Sequence, residues 1–396
     1  MKRSNNDASY VNFGGLALPA KVVAEMRAEF GAERNQRKKE QPVGQRAEWG
    51  ARAEQAPPEK ESQPATQVPF QWPNRFADHP GPVGRIFDKA DVEAYVERFE
   101  SECSDNDHRR RAKSLIKLLE TTGEYRKLAT IPEHWRSELD VMSKRFPNFD
   151  EVIDYVRISC ALAERSDRVL RLSLLLSGPA GTGKSMFAQT LAQWIGGGYA
   201  CIRYEAAQSS SEMAGSSSFW SNTKPGKPFT LLIEQDFANP TFFLDEIDKV
   251  TADRYDPLGA LYALLEPGTA REHTDQSWPF LRLDCSRINY IAACNEPDNI
   301  PQPLLSRLRK FDIPAPTLFQ ARQIATRIVE EEATKAAPGL RFSEAAMAAI
   351  CRLTPRRMRQ MVQEAMGRAL YHQRDTVLQD DVVIDQARRA GIGFLS

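Results

Sequence analysis

Residues 172–185 read LSLLLSGPAGTGKS, an apolar run that leads directly into a glycine-rich loop. The loop fits the pattern G-x-x-x-x-G-K-[S/T], in which backbone N–H groups and a lysine surround phosphate groups. An amphipathic helix is predicted over residues 186–195, so its positive end also points at the anion. The alternative is a glycine-rich turn that binds nothing. The residues predicted to cradle phosphate are Gly178, Pro179, Ala180, Gly181, Thr182, Gly183, Lys184 and Ser185.

A second motif lies downstream, where residues 241–248 read TFFLDEID. The apolar half predicts a buried strand, and two acids follow at its end. We expect Ser185 and Asp245 to bind Mg²⁺, directly or through water, and Glu246 to polarise an attacking water molecule. Acidic pairs at strand ends are often only solvated. This pair follows the phosphate loop in the chain, which favours one site formed by the loop and the two acids together.

The chain between these motifs alternates between short apolar or β-branched runs and helical patterns. Such alternation predicts an α/β fold with a parallel sheet flanked by helices. After Pro314 and Pro316 the pattern is helical throughout, which predicts an all-α lid. The predicted strands cover residues 169–177, 200–204, 241–245, 288–294 and 310–313.

Composition narrows the function classes. The 396 residues carry 53 basic and 53 acidic side chains, so the net charge does not indicate a nucleic-acid partner. No apolar run approaches the roughly 20 residues that a membrane span needs. The five histidines and six cysteines form no metal-ligand spacing, and the scattered cysteines predict a reducing, cytoplasmic location.

The two motifs, in this order, resemble those of the AAA+ ATPases, which implies that the phosphates belong to ATP. Residues 291–295, IAACN, are similar to the sensor-1 strand of that family, which implies that Asn295 positions the lytic water. Residues 303–309 follow, PLLSRLR, where the family places an arginine that reaches the ATP of a neighbouring subunit. Arg307 is favoured over Arg309 for this role, and two ordinary surface arginines are the alternative.

Several further segments resemble the Lon-type branch of the family. They include FFLDEIDKV (242–250), ALLEP (263–267) and NIPQPLLSR (299–307). The resemblance implies that an aromatic in the loop after residues 213–215 faces a central pore and grips polypeptide. Trp220, with Phe219 beside it, lies closest to that position. The alternative is that both rings are tucked under the loop as local core.

The C-terminal part resembles the helical lid of the same family. Residues 340–347, LRFSEAAM, are similar to the start of a lid helix, and residues 354–358, TPRRM, lie where a sensor-2 arginine is expected. Arg356 matches best. The family usually has Gly-Val before this arginine, so Arg357 stays open as the alternative.

The resemblance covers residues 150–390 and gives a domain scheme. Residues 1–87 are predicted to be mostly disordered. A helical pattern over residues 19–30 indicates either a helix that docks on a partner or a frayed helix without a partner. Residues 88–149 form a small helical region that opens with Asp91 as an N-cap. Residues 150–314 form the AAA+ core, and residues 315–396 form the lid. The Ser-Lys protease domain expected of the branch is not recognisable.

These features predict a cytoplasmic homo-oligomer, a hexameric ring that hydrolyses ATP with Mg²⁺ and remodels a protein without a peptidase of its own. The substrate is either pulled by the ring or handed to a separate effector protein. Two alternatives stay open. One is a nucleotide-controlled DNA-binding or DNA-remodelling ATPase that contacts phosphates through residues 109–117 and the tail. The other is a slow nucleotide-gated scaffold with the N-terminal region as its effector.

Overall fold

The computed structural model describes residues 10–13, 16–19, 72–102, 106–204, 211–217, 223–250 and 256–383. The chain divides into two compact units, residues 1–68 and 69–396. In the first unit, β1 (Tyr10–Phe13) pairs antiparallel with β2 (Leu16–Pro19). The predicted helix over residues 19–30 and most of the segment predicted to be disordered lie outside the described residues.

The second unit is built around a parallel five-stranded sheet, which confirms the predicted fold class. The strands of the unit are β3 (Val83–Arg85), β4 (Tyr125–Lys127), β5 (Ser173–Ser177), β6 (Tyr199–Arg203), β7 (Thr241–Asp245), β8 (His273–Asp275), β9 (Trp278–Leu283), β10 (Asn289–Cys294), β11 (Arg309–Asp312), β12 (Arg341–Phe342) and β13 (Thr376–Val377). The order in the sheet is β11-β5-β10-β7-β6. Short two-stranded pairs, β3 with β4, β8 with β9 and β12 with β13, lie outside this sheet.

Helices cover both faces of the sheet and form a separate lid after it. They are α1 (Lys89–Glu102), α2 (Asn106–Thr122), α3 (Trp135–Arg145), α4 (Asp150–Ala163), α5 (Lys184–Ile195), α6 (Ser211–Ala214), α7 (Lys227–Glu234), α8 (Gly259–Leu264), α9 (Pro267–Ala270), α10 (Gln302–Leu305), α11 (Leu318–Ala336), α12 (Glu344–Ile350) and α13 (Pro355–Tyr371). Short 3₁₀ turns lie at Ile247–Lys249, Pro297–Asn299 and Gln379–Asp381.

Side chains of the sheet alternate between two apolar cores, because successive residues of a strand point to opposite faces. On β5, Leu175 packs in the core with α1, α2 and α7, while Leu174 and Leu176 pack in the core with α3, α4 and α5. The lid helices α11, α12 and α13 form a third core of their own. The segment 88–149, predicted as a separate region, therefore shares both sheet cores.

Some predicted element ends were wrong. Helix α1 begins at Lys89, where the Asp88 carboxylate accepts from the Ala90 N–H at 3.0 Å. Asp91 lies inside the first turn and pairs with Arg282 at 2.7 Å. Strand β5 begins at Ser173 rather than at residue 169.

The lid is not purely helical, since it contains the two-residue parallel pair of β12 and β13. The predicted start of a lid helix at residue 340 lies directly before β12 (Arg341–Phe342), and α12 begins at Glu344. Its N-cap is Ser343, whose hydroxyl accepts from the Ala346 N–H. No helix in the described part of the chain is long and apolar enough to cross a membrane.

Candidate nucleotide site

A cleft of about 600 Å³ lies where the carboxyl ends of the sheet strands face the lid. Carboxyl ends of parallel strands meet at one sheet edge, which is where ligands bind in open α/β sheets. The cleft is lined by most of the phosphate loop, the acidic pair and lid residues, with Asn295 at the end of β10. The structure therefore brings the main predicted site residues together.

The phosphate loop has a conformation that depends on its glycines. A Cβ at Gly178 would lie 2.2 Å from the Ile313 carbonyl oxygen, so a side chain does not fit there. Gly183 has φ +102°, a left-handed value that favours glycine, and α5 begins at the next residue. The N–H groups at the start of α5 have no partners within the helix and can bind an anion.

Lys184 folds back across the loop. Its ammonium donates to the carbonyl oxygens of Gly178 at 2.6 Å and Pro179 at 3.0 Å, and to the Asn295 side-chain oxygen at 2.9 Å. The residue is 8% exposed, and burial lowers the pKa of its ammonium. A buried ammonium without a contacting carboxylate is stabilised by an anion, so the loop fits phosphate.

The acidic pair lies at the end of β7, beside α5. The Ser185 hydroxyl donates to the Asp245 carboxylate at 3.3 Å, and burial raises the pKa of Asp245. Two hard oxygen donors at this distance suit Mg²⁺, which usually takes few protein ligands and keeps water or phosphate oxygens. Among the described residues no group of three or more His, Cys, Asp or Glu forms a closed metal cage.

Glu246 adopts a left-handed backbone conformation, with φ +54° and ψ +44°. A non-glycine residue in this region costs about 1–3 kcal/mol and persists only where the surroundings enforce it. The turn aims the residue into the cleft directly after Asp245. Strain of this kind is common at active sites and is consistent with the role predicted for Glu246.

Asn295 is fixed by a residue that the sequence motifs do not assign. The buried carboxylate of Asp248 accepts from the backbone N–H groups of Asn295 at 3.0 Å and Glu296 at 2.9 Å. Asp248 thus joins the turn after β7 to the end of β10. This places the Asn295 side chain against Lys184.

The lid contributes arginines to the cleft. Arg356, on the first turn of α13, lines it, whereas Arg357 does not. The phosphate loop also meets the lid directly, since a Cβ at Gly181 would lie 3.2 Å from Thr354. Both arginines are exposed, so the difference between them is that Arg356 forms part of the cleft wall together with the phosphate loop and Arg357 does not.

The two candidate trans arginines lie outside the cleft of their own chain. Arg307 donates to the Pro303 carbonyl oxygen at 2.6 Å and lies 3.6 Å from the Glu266 carboxylate. Arg309 is exposed and lies 5.9 Å from the ring centroids of Tyr155 and Phe311. Neither position serves the site within one chain.

The predicted pore residues Phe219 and Trp220 lie outside the described residues, but the base of their loop is described. Ser216 and Lys224 pair across it, with the Lys224 N–H donating to the Ser216 hydroxyl at 2.7 Å. The buried Asp275 accepts from the Gly226 N–H at 2.7 Å. The loop is therefore closed at its base by the β8–β9 hairpin.

Sequence reasoning missed four arginines that line the cleft. Arg203 ends β6 and is the register partner of Asp245, so the rule on strand ends would have found it. The other three come from helices, where no motif marks them. They are Arg145, Arg327 and Arg359.

Comparison with known proteins agrees with this site. A family model described as "ATPase family associated with various cellular activities (AAA)" matches residues 174–315. A Lon protease of Metamycoplasma arthritidis is 34% identical over 161 residues, or 40% of this chain and 19% of that protein. Lon protease 2 of Thermus thermophilus is 30% identical over 187 residues, or 45% of this chain and 23% of that protein.

The match thus spans about a fifth of the length of these Lon proteases. Among solved structures, the RuvB Holliday junction branch migration motor of Thermotoga maritima has a TM-score of 0.42 at 18% identity, covering 59% of this chain and 66% of that one. This TM-score is too low to bear on fold or function. Residues 174–315 are an ATPase domain of the AAA family, of the type found in the Lon proteases.

Proposed function

We propose that the chain is a Mg²⁺-dependent ATPase that assembles as a hexameric ring and remodels proteins. The observation that carries the proposal is the cleft itself, in which the phosphate loop, the acidic pair, Asn295 and Arg356 converge from separate elements. ATP hydrolysis as a general activity follows from the AAA domain. Metal dependence, ring assembly and the protein substrate are the proposed parts.

In this mechanism a water molecule attacks the γ-phosphorus, the bond to the β-phosphate oxygen breaks, and ADP leaves. Glu246 accepts the proton of that water, and Asn295 orients it. Lys184 stabilises negative charge on the β- and γ-phosphates. Ser185 and Asp245 would hold Mg²⁺, which supplies further positive charge to the phosphates. Arg356 couples the position of the lid to the bound nucleotide.

The position of Arg307 supports the proposed ring. Arg307 lies outside its own cleft, and its Nε lies 3.6 Å from the Glu266 carboxylate. An arginine supplied by a neighbour stabilises charge on the γ-phosphate, and such a head-to-tail contact closes into a ring when the rotation allows. A cytoplasmic location is also part of the proposal, and it rests on five cysteines in the described residues that are all free.

The proposed substrate is a polypeptide gripped by Phe219 and Trp220. The closed loop base supports this, because a loop that transmits force needs a fixed stem.

One observation favours a second candidate, a DNA-dependent ATPase. Helix α2 presents a basic surface lined by Arg109, Arg110, Lys113 and Lys117.

The test is steady-state ATP hydrolysis by the wild type alone, with an unfolded protein, and with duplex DNA. We expect stimulation by the unfolded protein and its loss in Trp220→Ala, with basal turnover retained. Stimulation by DNA alone, falling steeply with salt and abolished in Lys113→Ala/Lys117→Ala, would instead establish the second candidate. Slow turnover that neither ligand changes would point to a nucleotide-gated scaffold.

A further inference from the structure

The turn between α3 and α4, residues 146–149, is fixed against the helix that follows the phosphate loop. The Phe149 ring stacks on Phe187 of α5 with the ring centroids 4.4 Å apart, and the Phe146 ring packs edge-on against both. All three rings are buried. Because α5 begins at the end of the phosphate loop, this close packing holds the turn in a fixed place beside that loop.

Asn148 is the polar residue of this turn, and it is only 7% exposed. Its side-chain amide donates to the carbonyl oxygen of Thr182 in the phosphate loop at 3.3 Å and to that of Pro314 at 3.1 Å. Pro314 belongs to residues 313–317, the segment between β11 and α11, which we call the lid hinge. One amide thus uses both of its N–H groups to join the phosphate loop to the lid hinge.

The contact with Thr182 also orients a peptide group of the phosphate loop. A trans peptide is planar, so the Thr182 C=O and the Gly183 N–H point in opposite directions. Because Asn148 holds the carbonyl oxygen, the Gly183 N–H points away from Asn148. Glycine restricts its own backbone little, so an outside contact is needed to select this orientation. Asn148 supplies that contact.

Two further contacts connect the same parts of the molecule. The Ile313 N–H of the lid hinge donates to the carbonyl oxygen of Ser177, directly before the phosphate loop, at 2.6 Å. The Gln320 amide, in the first turn of α11, donates to the carbonyl oxygen of Pro147 at 2.7 Å. The turn of residues 146–149 therefore holds the phosphate loop, the lid hinge and the start of the lid.

We propose that Asn148 is a positioning residue that holds the phosphate loop and the lid hinge together, so that an anion bound in the loop also fixes the start of the lid. This inference rests on the proposed nucleotide site and deepens it. Both N–H groups of the amide are used in these two contacts, so Asn148 holds the backbone rather than the ligand.

The first measurement is binding of inorganic tripolyphosphate, by calorimetry, to the wild type, Asn148→Ala and Asn148→Asp. The ionised form of the new Asp side chain cannot donate to the two carbonyl oxygens, but its protonated form can donate to one of them. Burial beside carbonyl oxygens raises the pKa of this carboxyl, and the acids of the adjoining pocket, Asp150, Glu151 and Asp312, act in the same direction. The basic residues that line the cleft act against them.

We expect both variants to bind tripolyphosphate about tenfold more weakly than the wild type at about pH 8.5, which is the scale of one lost hydrogen bond to an anion. At about pH 6, Asn148→Asp should recover to within about threefold of the wild type, whereas Asn148→Ala should not recover. The control is Asn239→Ala, since Asn239 is a buried amide that holds the backbone of Ala129 and does not line the cleft. It should bind tripolyphosphate as the wild type does.

The second measurement is hydrogen exchange over residues 313–323, the lid hinge and the start of α11. Saturating tripolyphosphate should slow exchange there at least about threefold in the wild type and by less than about 1.5-fold in Asn148→Ala. If Asn148 only stabilised the fold, exchange would be faster in the variant, but the response to the anion would remain.

Several results would overturn the proposal. Wild-type affinity in Asn148→Ala would do so, because weaker binding by Asn148→Asp alone is charge repulsion. Failure of Asn148→Asp to recover at low pH would show that the donor is not needed, and a normal exchange response in Asn148→Ala would show that the lid hinge is not held through this residue. If Asn148→Ala does not fold, the pH dependence and the exchange response of Asn148→Asp decide. A wild-type protein that binds no tripolyphosphate contradicts the phosphate site itself, whereas wild-type binding with unaffected variants contradicts this inference alone.

Discussion

At the scale of single residues, Asp248 links the two strand ends that carry the predicted chemistry. Its carboxylate lies in the turn after β7 and holds the backbone of Asn295 and Glu296 at the end of β10. A shift of a catalytic group by about 1 Å can cost on the order of 100-fold in rate. Asp248 is thus a positioning residue for Asn295.

We expect Asp248→Ala to lower kcat for ATP about 10-fold to 100-fold while the Kd for ATP changes little. The variant also leaves two part-buried N–H groups without this acceptor, so its free energy of unfolding should fall by about 1 kcal/mol. Asp248→Asn keeps an oxygen that can accept from both groups and should recover most of the turnover. Single-turnover kinetics with separate binding measurements check this. Normal kcat in Asp248→Ala, or no recovery in Asp248→Asn, would show that the contact does not position Asn295.

His273 makes the stability of the fold sensitive to acid. It is 8% exposed, and burial lowers its pKa from 6.5 to about 4. The unfolded chain therefore binds this proton at a higher pH than the folded chain does. The stability that comes from burying the neutral His273 side chain is therefore fully present above pH 6.5, and it is lost as the pH falls toward 4.

Between pH 7.5 and pH 5 this loss should amount to roughly 2 kcal/mol, by proton linkage. His273→Gln should show a smaller decrease over the same range, measured by urea unfolding. The exposed His372→Gln serves as the control and should follow the wild type. Equal pH slopes for wild type and His273→Gln would mean that His273 titrates normally in the folded protein.

The phosphate loop, Asp245, Glu246 and Asn295 could be predicted because each is marked by a short local motif. Asp248 is part of the same motif, but its role depends on contact with β10, 47 residues further along the chain. Arg145 and Arg327 are separated by 182 residues and meet only through the packing of α3 against the lid. Contacts of this kind have no signature in a single sequence.

At the scale of elements, the base of the predicted pore loop depends on one glycine. Gly215 has φ +76°, and a Cβ there would lie 2.1 Å from the Asp275 carboxylate. Asp275 in turn accepts from Gly226 and Ser277. An added methyl group therefore disturbs the base of the loop without touching the cleft.

We expect Gly215→Ala to abolish stimulation by unfolded protein while basal ATP turnover stays within about twofold. The control is Gly367→Ala in α13, where nothing lies within 4 Å of the added Cβ. That variant should be about 0.5–1 kcal/mol more stable than the wild type, because alanine favours a helix interior. Full stimulation in Gly215→Ala would show that the loop base does not set the action of the loop.

The sheet strands were predictable because buried parallel strands are continuous apolar runs. The ends of the strands were harder to predict. The apolar run that contains β5 begins at residue 169, but it pairs with a neighbouring strand only from Ser173. The start of the lid helix was misplaced because Arg341 and Phe342 pair with β13, 35 residues away. Pairing over such distances overrides a local helical pattern.

At the scale of the whole molecule, segment 88–149 and the sheet fold as one body. Leu119 of α2 and Leu139 of α3 are fully buried in the two sheet cores. Helical patterns in the sequence predict a small helical region here, but they do not indicate which surface the helices cover. Only the packed structure shows that α3 also forms one side of the nucleotide cleft.

Ring assembly predicts that the cleft of one subunit and Arg307 of another act together. Glu246→Gln and Arg307→Ala should each be inactive alone. Mixed in equal amounts, they should recover up to about a quarter of wild-type turnover, since a head-to-tail interface pairs an intact cleft with an intact arginine at that frequency. If mixed oligomers form but turnover does not recover, Arg307 does not act on the nucleotide of a neighbouring subunit. It would then act within its own chain or have no part in hydrolysis. Arg309→Ala, tested the same way, decides between the two arginines.

The most direct test of the central claim is ATP binding and steady-state ATP hydrolysis by Glu246→Gln. The substitution keeps the shape of the side chain and removes the carboxylate that accepts the proton from water. We expect turnover to fall by a factor of about 100 or more, as for loss of a general base, with ATP affinity retained. Glu344→Gln, an acid of the lid outside the cleft, should match the wild type. Wild-type turnover in Glu246→Gln would contradict the assignment of this cleft as the site of hydrolysis.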